Sequence, residues 1–143
     1  MSKKQEDVRF AKFGTVSFTK TTKVNDFIDY LENGKVMYTH CKACNADFFP
    51  PRADCCGCLS STMEWKEVTG KGKLVSYSQL TFAPVGFEGD IPYTIAMVDY
   101  GDYQVFGRLD SGLTPETVSV GTEMTTRVNT LPNGQLNYVF QKA

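Results

Sequence analysis

All five cysteines of the chain fall between Cys41 and Cys58. Cys41-Lys-Ala-Cys44 and Cys55-Cys-Gly-Cys58 form two Cys-x-x-Cys units separated by ten residues. Each unit turns two thiolates inward from a tight bend, and the pair together meets the tetrahedral preference of zinc, with iron as the other thiolate-seeking metal. An odd, clustered set of thiols is the wrong distribution for a disulfide framework spread over a secreted fold. The spacing therefore predicts a zinc site made by Cys41, Cys44, Cys55 and Cys58. Four thiolates close the coordination sphere, whereas catalytic zinc keeps one position for water or substrate. The metal is expected to be structural.

His40, the single histidine, adjoins Cys41. With the sphere already closed, a supporting or solvent-facing role is favoured over ligation. Cys56, inside the second unit, reads as a packed, inert thiol. One histidine and four committed cysteines leave little for nucleophilic or acid–base catalysis. The sequence has no Gly-x-Ser-x-Gly elbow, no phosphate-cradling glycine loop ahead of a helix and no His/carboxylate metal motif. Gly70-Lys-Gly-Lys73 precedes a strand pattern and reads as its bulged start. Asp99 and Asp102 bracket a turn between two strand patterns and read as solvated turn acids.

The elements that must hold these residues are short. Lys35–Lys66 carries the cysteines, and some thirty residues bury too little apolar surface to fold without a staple, which zinc would provide. Upstream, Val24, Phe27, Ile28 and Leu31 recur at helical spacing and Asn33-Gly34 supplies a stop, so an amphipathic helix of about ten residues is predicted. A helix that short must dock on something to persist. Met1–Lys23 is rich in Lys, Ser and Thr with scattered Phe10, Phe13, Val16 and Phe18, and reads as an arm ordered only against a partner.

Downstream, turn signals separate five strand patterns at Leu74–Phe82, Tyr93–Tyr100, Gln104–Asp110, Glu123–Asn129 and Gln135–Gln141. Leu74, Ser76, Ser78, Leu80 and Phe82 share one side of the first pattern, and Leu136, Tyr138 and Phe140 one side of the last. Asn133-Gly134 favours a tight hairpin, and Thr114-Pro115-Glu116 a capped helical turn between the third and fourth strands. Five antiparallel strands with a helical insertion after the third is the plan of an OB-type barrel, with a small sandwich as rival. The predicted fold class is mainly β. The predicted units are an arm and helix (1–35), a rubredoxin-like zinc ribbon (36–66) and an OB-fold domain (67–143).

Of the 143 residues 41% are hydrophobic and 22% charged, close to globular averages, and the net charge is −1. Nucleic-acid binders usually carry a dense basic face, so this balance counts against that class. No apolar run approaches the roughly 18 residues that span a bilayer, and no signal-peptide core follows Met1–Lys4. A cytosolic location without membrane attachment is expected.

The order of features resembles a known family. A helix ending in Asn33-Gly34-Lys35 is followed by Cys-Lys-Ala-Cys, Phe48-Phe49-Pro50-Pro51-Arg52, Cys-Cys-Gly-Cys and Trp65-Lys-Glu-Val-Thr-Gly-Lys-Gly72. Ile91-Pro92-Tyr93, Val118-Ser-Val-Gly121 and Phe140 continue the match. From about Val24 onward the chain is similar to the zinc-ribbon plus OB-fold family of acyl-CoA-associated proteins, long classed as a domain of unknown function. Cys56 departs from it, since that slot usually holds Pro or a polar residue. The resemblance implies a non-catalytic subunit, inactive alone, that assembles with a thiolase-fold enzyme and helps bind or channel its coenzyme A thioester. Family partners include acetoacetyl-CoA thiolases, hydroxymethylglutaryl-CoA synthases, steroid side-chain aldolases and the benzoylsuccinyl-CoA thiolase of anaerobic toluene breakdown, the last being the first pathway to consider.

Under this resemblance Phe48, Phe49, Pro50, Pro51 and Arg52 are candidate interface anchors or ribbon packing. Val85, Phe87 and Ile91 sit in a Gly/Pro loop that needs cover from an acyl chain, a partner or the chain's own barrel. Arg52, Lys71, Lys73 and Arg108 are candidates for coenzyme A phosphates, against solvated surface charge as the default. The rival reading is a single-strand nucleic-acid binder with Tyr77, Phe82, Tyr93 and Phe106 as a stacking platform.

Overall fold

Asp26–Glu32 forms helix α1 because Phe27, Ile28 and Leu31 fall on one face and are all buried. Gly34, at φ +79°, carries the chain out of the helix in the left-handed conformation that favours glycine, and the Lys35 amide returns to the Tyr30 carbonyl at 2.8 Å. The computed structural model describes residues 6–19 and 21–143. The helix is shorter than the sequence pattern suggests because Val24 precedes its first turn and Asn25 occupies the N-cap.

The cysteine segment folds as a three-stranded antiparallel sheet of β1 (Met37–Cys41), β2 (Asp47–Phe48) and β3 (Met63–Glu67), in the order β2-β1-β3. Met37, Thr39 and Cys41 alternate inward along β1, so the first metal-binding residue is the buried end of a central strand.

The remaining strands are β4 (Gly72–Leu80), β5 (Tyr93–Asp99), β6 (Gln104–Leu109), β7 (Glu123–Thr130) and β8 (Leu136–Lys142). They close into a barrel in the order β4-β5-β6-β8-β7, with β4 and β7 completing the ring. The expectation of an antiparallel set is corrected at one pair: β6 and β8 run parallel through Arg108↔Val139 and Leu109↔Phe140. The reason is geometric, because a ring with an odd number of strands cannot alternate direction all the way round. Buried Leu74, Val98, Val105, Leu109, Met124 and Phe140 fill the core. A capped 3₁₀ turn at Pro115–Thr117 lies between β6 and β7, where the sequence places it. Residues 131–135 join β7 to β8, a longer connection than the two-residue turn anticipated from Asn133-Gly134.

Two further expectations change. A bulge between Leu74 and Ser76 shifts the alternation of β4, so Leu74 is buried, Val75 is exposed, and Tyr77 rather than Ser76 packs against the core. The arm is also ordered against its own chain rather than awaiting a partner. Arg9–Lys12 forms a 3₁₀ turn, the rings of Phe10 and Phe13 lie about 6 Å from that of Phe27, at 6.2 and 6.0 Å, and Phe13 bridges to Leu136. Arg9 pairs with Asp26 and Asp29, and Lys12 with Glu32, tying the arm to α1. Residues 1–5 and Lys20 of that arm lie outside the described residues.

Candidate metal centre and ligand cavity

The two cysteine units are built alike. The Asn45 amide bonds the Cys41 carbonyl at 2.8 Å and the Leu59 amide bonds the Cys55 carbonyl at 3.0 Å. Asn45 and Leu59 both take the left-handed conformation, at φ 63° and 64°. Each turn aims two sulfurs at one point. The four Sγ atoms lie within 4.8 Å of one another, with Cys41 to Cys58 at 3.6 Å and Cys44 to Cys55 at 3.5 Å. A tetrahedron with Zn–S bonds of about 2.3 Å has edges of about 3.8 Å, so the donor set fits zinc with changes of no more than about 1 Å in any sulfur–sulfur distance. The Cys58 backbone N–H, which bonds the Cys55 sulfur at 3.5 Å, lowers the Cys55 thiol to about 6. The Cys44 backbone N–H likewise lowers Cys41. Turn amides lower Cys44 and Cys58 too, but there the neighbouring thiols outweigh them and both rise, Cys44 to about 12, so the amides favour thiolate outright at Cys41 and Cys55. His40 donates through Nδ1 to the Asp47 carboxylate at 2.6 Å, and Cys56 is exposed rather than packed, a correction that follows from its outward place in the turn.

The other sequence-nominated residues do not converge. Lys71 pairs with Glu123 at 3.3 Å, and Lys73 stands exposed near the start of β4, opposite Asp99. Seven residues along that strand, roughly 23 Å at about 3.3 Å per residue, separate Lys73 from Leu80. Arg52 lies on the ribbon, its guanidinium 5.4 Å from the Phe48 ring centroid and its backbone N–H on the Thr39 hydroxyl at 2.8 Å. Phe49 packs inward on Phe27 and Tyr138. The Asp99 carboxylate caps its turn through the Gly101 amide at 2.8 Å, as the sequence suggested. The proposed stacking platform is not assembled: Tyr77 faces the core, its hydroxyl donating to the Val118 carbonyl at 3.4 Å, and Phe82 projects from a loop beyond β4.

Phe87 and Arg108 do meet. They line a cavity of about 410 Å³ between the arm, the β4–β5 loop and the outer face of β5 and β6, together with Phe13, Val16, Tyr93 and Ile95. The one charged residue of its lining among the described residues, Arg108, holds its guanidinium 4.0 Å from the Tyr93 ring centroid and 5.9 Å from that of Phe87. Arg108 Nη1 donates to Asp90 Oδ2 at 2.9 Å, and the Thr15 hydroxyl donates to the same carboxylate. Partial burial pushes the Asp90 carboxyl up, but the bonds from Thr15 and Arg108 outweigh it and hold it below the ordinary aspartate value. Asp90 and Thr15 escaped the sequence reading. The spacing of three between Phe10, Phe13 and Val16 was the available sign that the arm lays an apolar edge on the barrel.

Residues 29–64 match the family model described as the ChsH2 rubredoxin-like zinc ribbon domain, and residues 65–129 that of the ChsH2 C-terminal OB-fold domain. The chain belongs to this zinc-ribbon and OB-fold family. Within it, the chain is 34% identical over 87 residues to a DUF35 domain-containing scaffold protein of Methanocaldococcus jannaschii, covering 59% of this chain and 60% of that one. It is 33% identical over 76 residues to a protein of the same description from Pyrococcus furiosus, covering 53% and 56%. The chain therefore spans about three fifths of the length of these curated relatives. Among solved structures, the family fold recurs in a chain of an Ltp2-ChsH2(DUF35) aldolase, with a TM-score of 0.66, 22% identity, and coverage of 80% of this chain and 89% of that one. The arm, with its contribution to the cavity, precedes the span that the family models match.

Proposed function

We propose that this protein is a non-catalytic, zinc-stapled scaffold subunit of a thiolase-fold enzyme in the cytosol, and that it helps bind or channel that enzyme's acyl-CoA thioester. The observation that carries the reading is the closed tetrathiolate: four convergent sulfurs leave a bound zinc no position for water or substrate. Among the described residues, the one histidine, His40, bonds to Asp47 and to no hydroxyl or thiol, so no nucleophile is seen hydrogen-bonded to a base. Scaffold relatives and the aldolase complex supply the analogy for an enzyme partner. Exposed apolar side chains, including Phe106, Phe82, Val85 and Leu59, support it further as surface awaiting cover.

The reading is tested by expressing the chain with a thiolase-fold protein of the same genome and purifying each alone and together. The pair is expected to elute as one complex and to turn over acyl-CoA substrates, benzoylsuccinyl-CoA first among them, with neither component active alone. Full activity in the large subunit by itself would remove this chain's role.

A further inference from the structure

The cavity between the arm and the barrel has a chemistry more specific than a general binding surface. Its volume of about 410 Å³ lies within the roughly 300–1,000 Å³ of small-molecule sites, and its lining is mostly apolar, with Thr15, Asn137, Tyr93, Tyr138 and one cation, Arg108, as the members that carry polar atoms. That cation is already neutralised. Asp90 engages Nη1 of Arg108 at 2.9 Å, so a free carboxylate or phosphate entering the cavity would be repelled by Asp90 as it approached Arg108. Guanidinium carries five N–H donors. Asp90 is the one hydrogen-bond partner of Arg108 among the described residues, so further donors remain for an uncharged acceptor. The Tyr93 ring centroid lies 4.0 Å from the guanidinium carbon, and with Asp90 the ring limits where the group can move.

One wall belongs to the arm. The Gly14 amide bonds the Leu136 carbonyl at 2.7 Å, Thr15 reaches Asp90, and Val16 lies against Gly86 of the β4–β5 loop. A Cβ on Gly86 would sit 2.6 Å from Val16 Cγ2, and its φ of +96° already disfavours any other residue. The loop and the arm therefore close on one another only because this position is glycine.

We infer that this cavity receives the uncharged aryl or alkyl part of a thioester's acyl group, a carbonyl oxygen of which accepts a hydrogen bond from Arg108, and that residues 13–16 are its arm-side wall. The inference rests on the acyl-thioester reading above and narrows it. It assigns the acyl end to the barrel cavity, well away from Lys71 and Lys73, and assigns no nucleotide contact to it.

The test is calorimetric titration of the full-length, zinc-loaded chain with benzoyl- and hexanoyl-N-acetylcysteamine, neutral thioesters that lack the coenzyme A nucleotide. Saturable binding at a single site is expected. Ile95→Trp, which fills the cavity from β5, should abolish it. Thr15→Val, which frees the arm wall from Asp90, should weaken it about three- to tenfold, the scale of one hydrogen bond. Glu116→Gln, on the 3₁₀ turn, should change nothing, and benzoate should bind at least about tenfold more weakly than its thioester. Absence of saturable binding by the unaltered chain, binding undiminished in Ile95→Trp, or benzoate binding as tightly as the thioester each overturns the assignment. If circular dichroism shows that Ile95→Trp does not fold, Thr15→Val and Phe87→Ala decide, and unchanged affinity in both overturns it. Because neither partner enzyme nor nucleotide is present, failure here leaves the subunit proposal standing. An inactive co-purified pair would sink that proposal whatever these probes do.

Discussion

The guanidinium of Arg108 lies 4.0 Å from the centroid of the Tyr93 ring, so a cation on β6 is held over an aromatic residue at the start of β5. Asp90 completes the arrangement from the β4–β5 loop, and through Thr15 it also holds the arm. Three segments distant in sequence are thereby joined by one carboxylate.

Asp90→Asn is accordingly expected to loosen the arm at a cost of about 1 kcal/mol, allowing for partial solvent screening. Amide hydrogen exchange at Gly14 should rise with it. The pH dependence has a definite sign: the folded-state pKa of Asp90 is depressed. Its stabilisation is therefore fully present above the ordinary aspartate value of about 3.9 and is lost as pH falls through the lower folded value. Protection of Gly14 that is the same in wild type and variant across this range would contradict the role given to Asp90.

Gly107 allows Tyr138 and Phe140 to lie against β6. A Cβ there would sit 2.7 Å from Tyr138 Cε2 and 3.3 Å from the Phe140 ring. Gly107→Ala should therefore destabilise the barrel by about 1–3 kcal/mol, the usual range for overpacking, read as a lower denaturation midpoint in urea at unchanged slope. A change below about 0.5 kcal/mol would show that the rings have room to move.

Leu59 is the reverse case. It holds φ 64° while the residue is 83% exposed, so it bears left-handed strain with little packing in return. Its counterpart in the first cysteine unit is Asn45, a residue type that tolerates this conformation. Leu59→Asn should stabilise the ribbon by about 0.5–1 kcal/mol. Slower zinc release to a chelator is the readout, and faster release would mean that Leu59 contributes packing that its exposure conceals.

Cys56 and Cys55 are neighbours with opposite expectations. Cys55→Ser removes a buried sulfur of the tetrahedral set and should abolish stoichiometric zinc and unfold the ribbon, whereas Cys56→Ser alters an exposed side chain and should leave both intact. Zinc content and circular dichroism of the two variants distinguish them. Loss of metal from Cys56→Ser would place the fifth thiol among the ligands.

What the sequence revealed, and what it concealed, follows from the range of the forces involved. The cysteine spacing is local, and so the donor set could be read directly from Cys41, Cys44, Cys55 and Cys58. The alternation that marks β5 and β8 is local too. The bulge after Leu74 is decided by pairing with β5, and it moved Tyr77 to the core side against the simple period of two. The parallel contact of β6 with β8 is a property of ring closure and leaves no mark on either segment. The place where the arm docks leaves no local sign because Phe10 and Phe13 find their ring partners in Phe27 and Tyr138, which no short window of sequence contains. The cavity was half visible, in Phe87 and Arg108, while Thr15 and Asp90 look like ordinary polar residues until the fold joins them.

X-ray absorption at the zinc edge of the purified, reduced protein addresses the central claim most directly. A closed structural site requires four sulfur neighbours at about 2.3 Å and no oxygen or nitrogen in the first coordination sphere. Three sulfurs with a bound water would give the metal an open position, and the description of this chain as a support for another subunit's chemistry would fail.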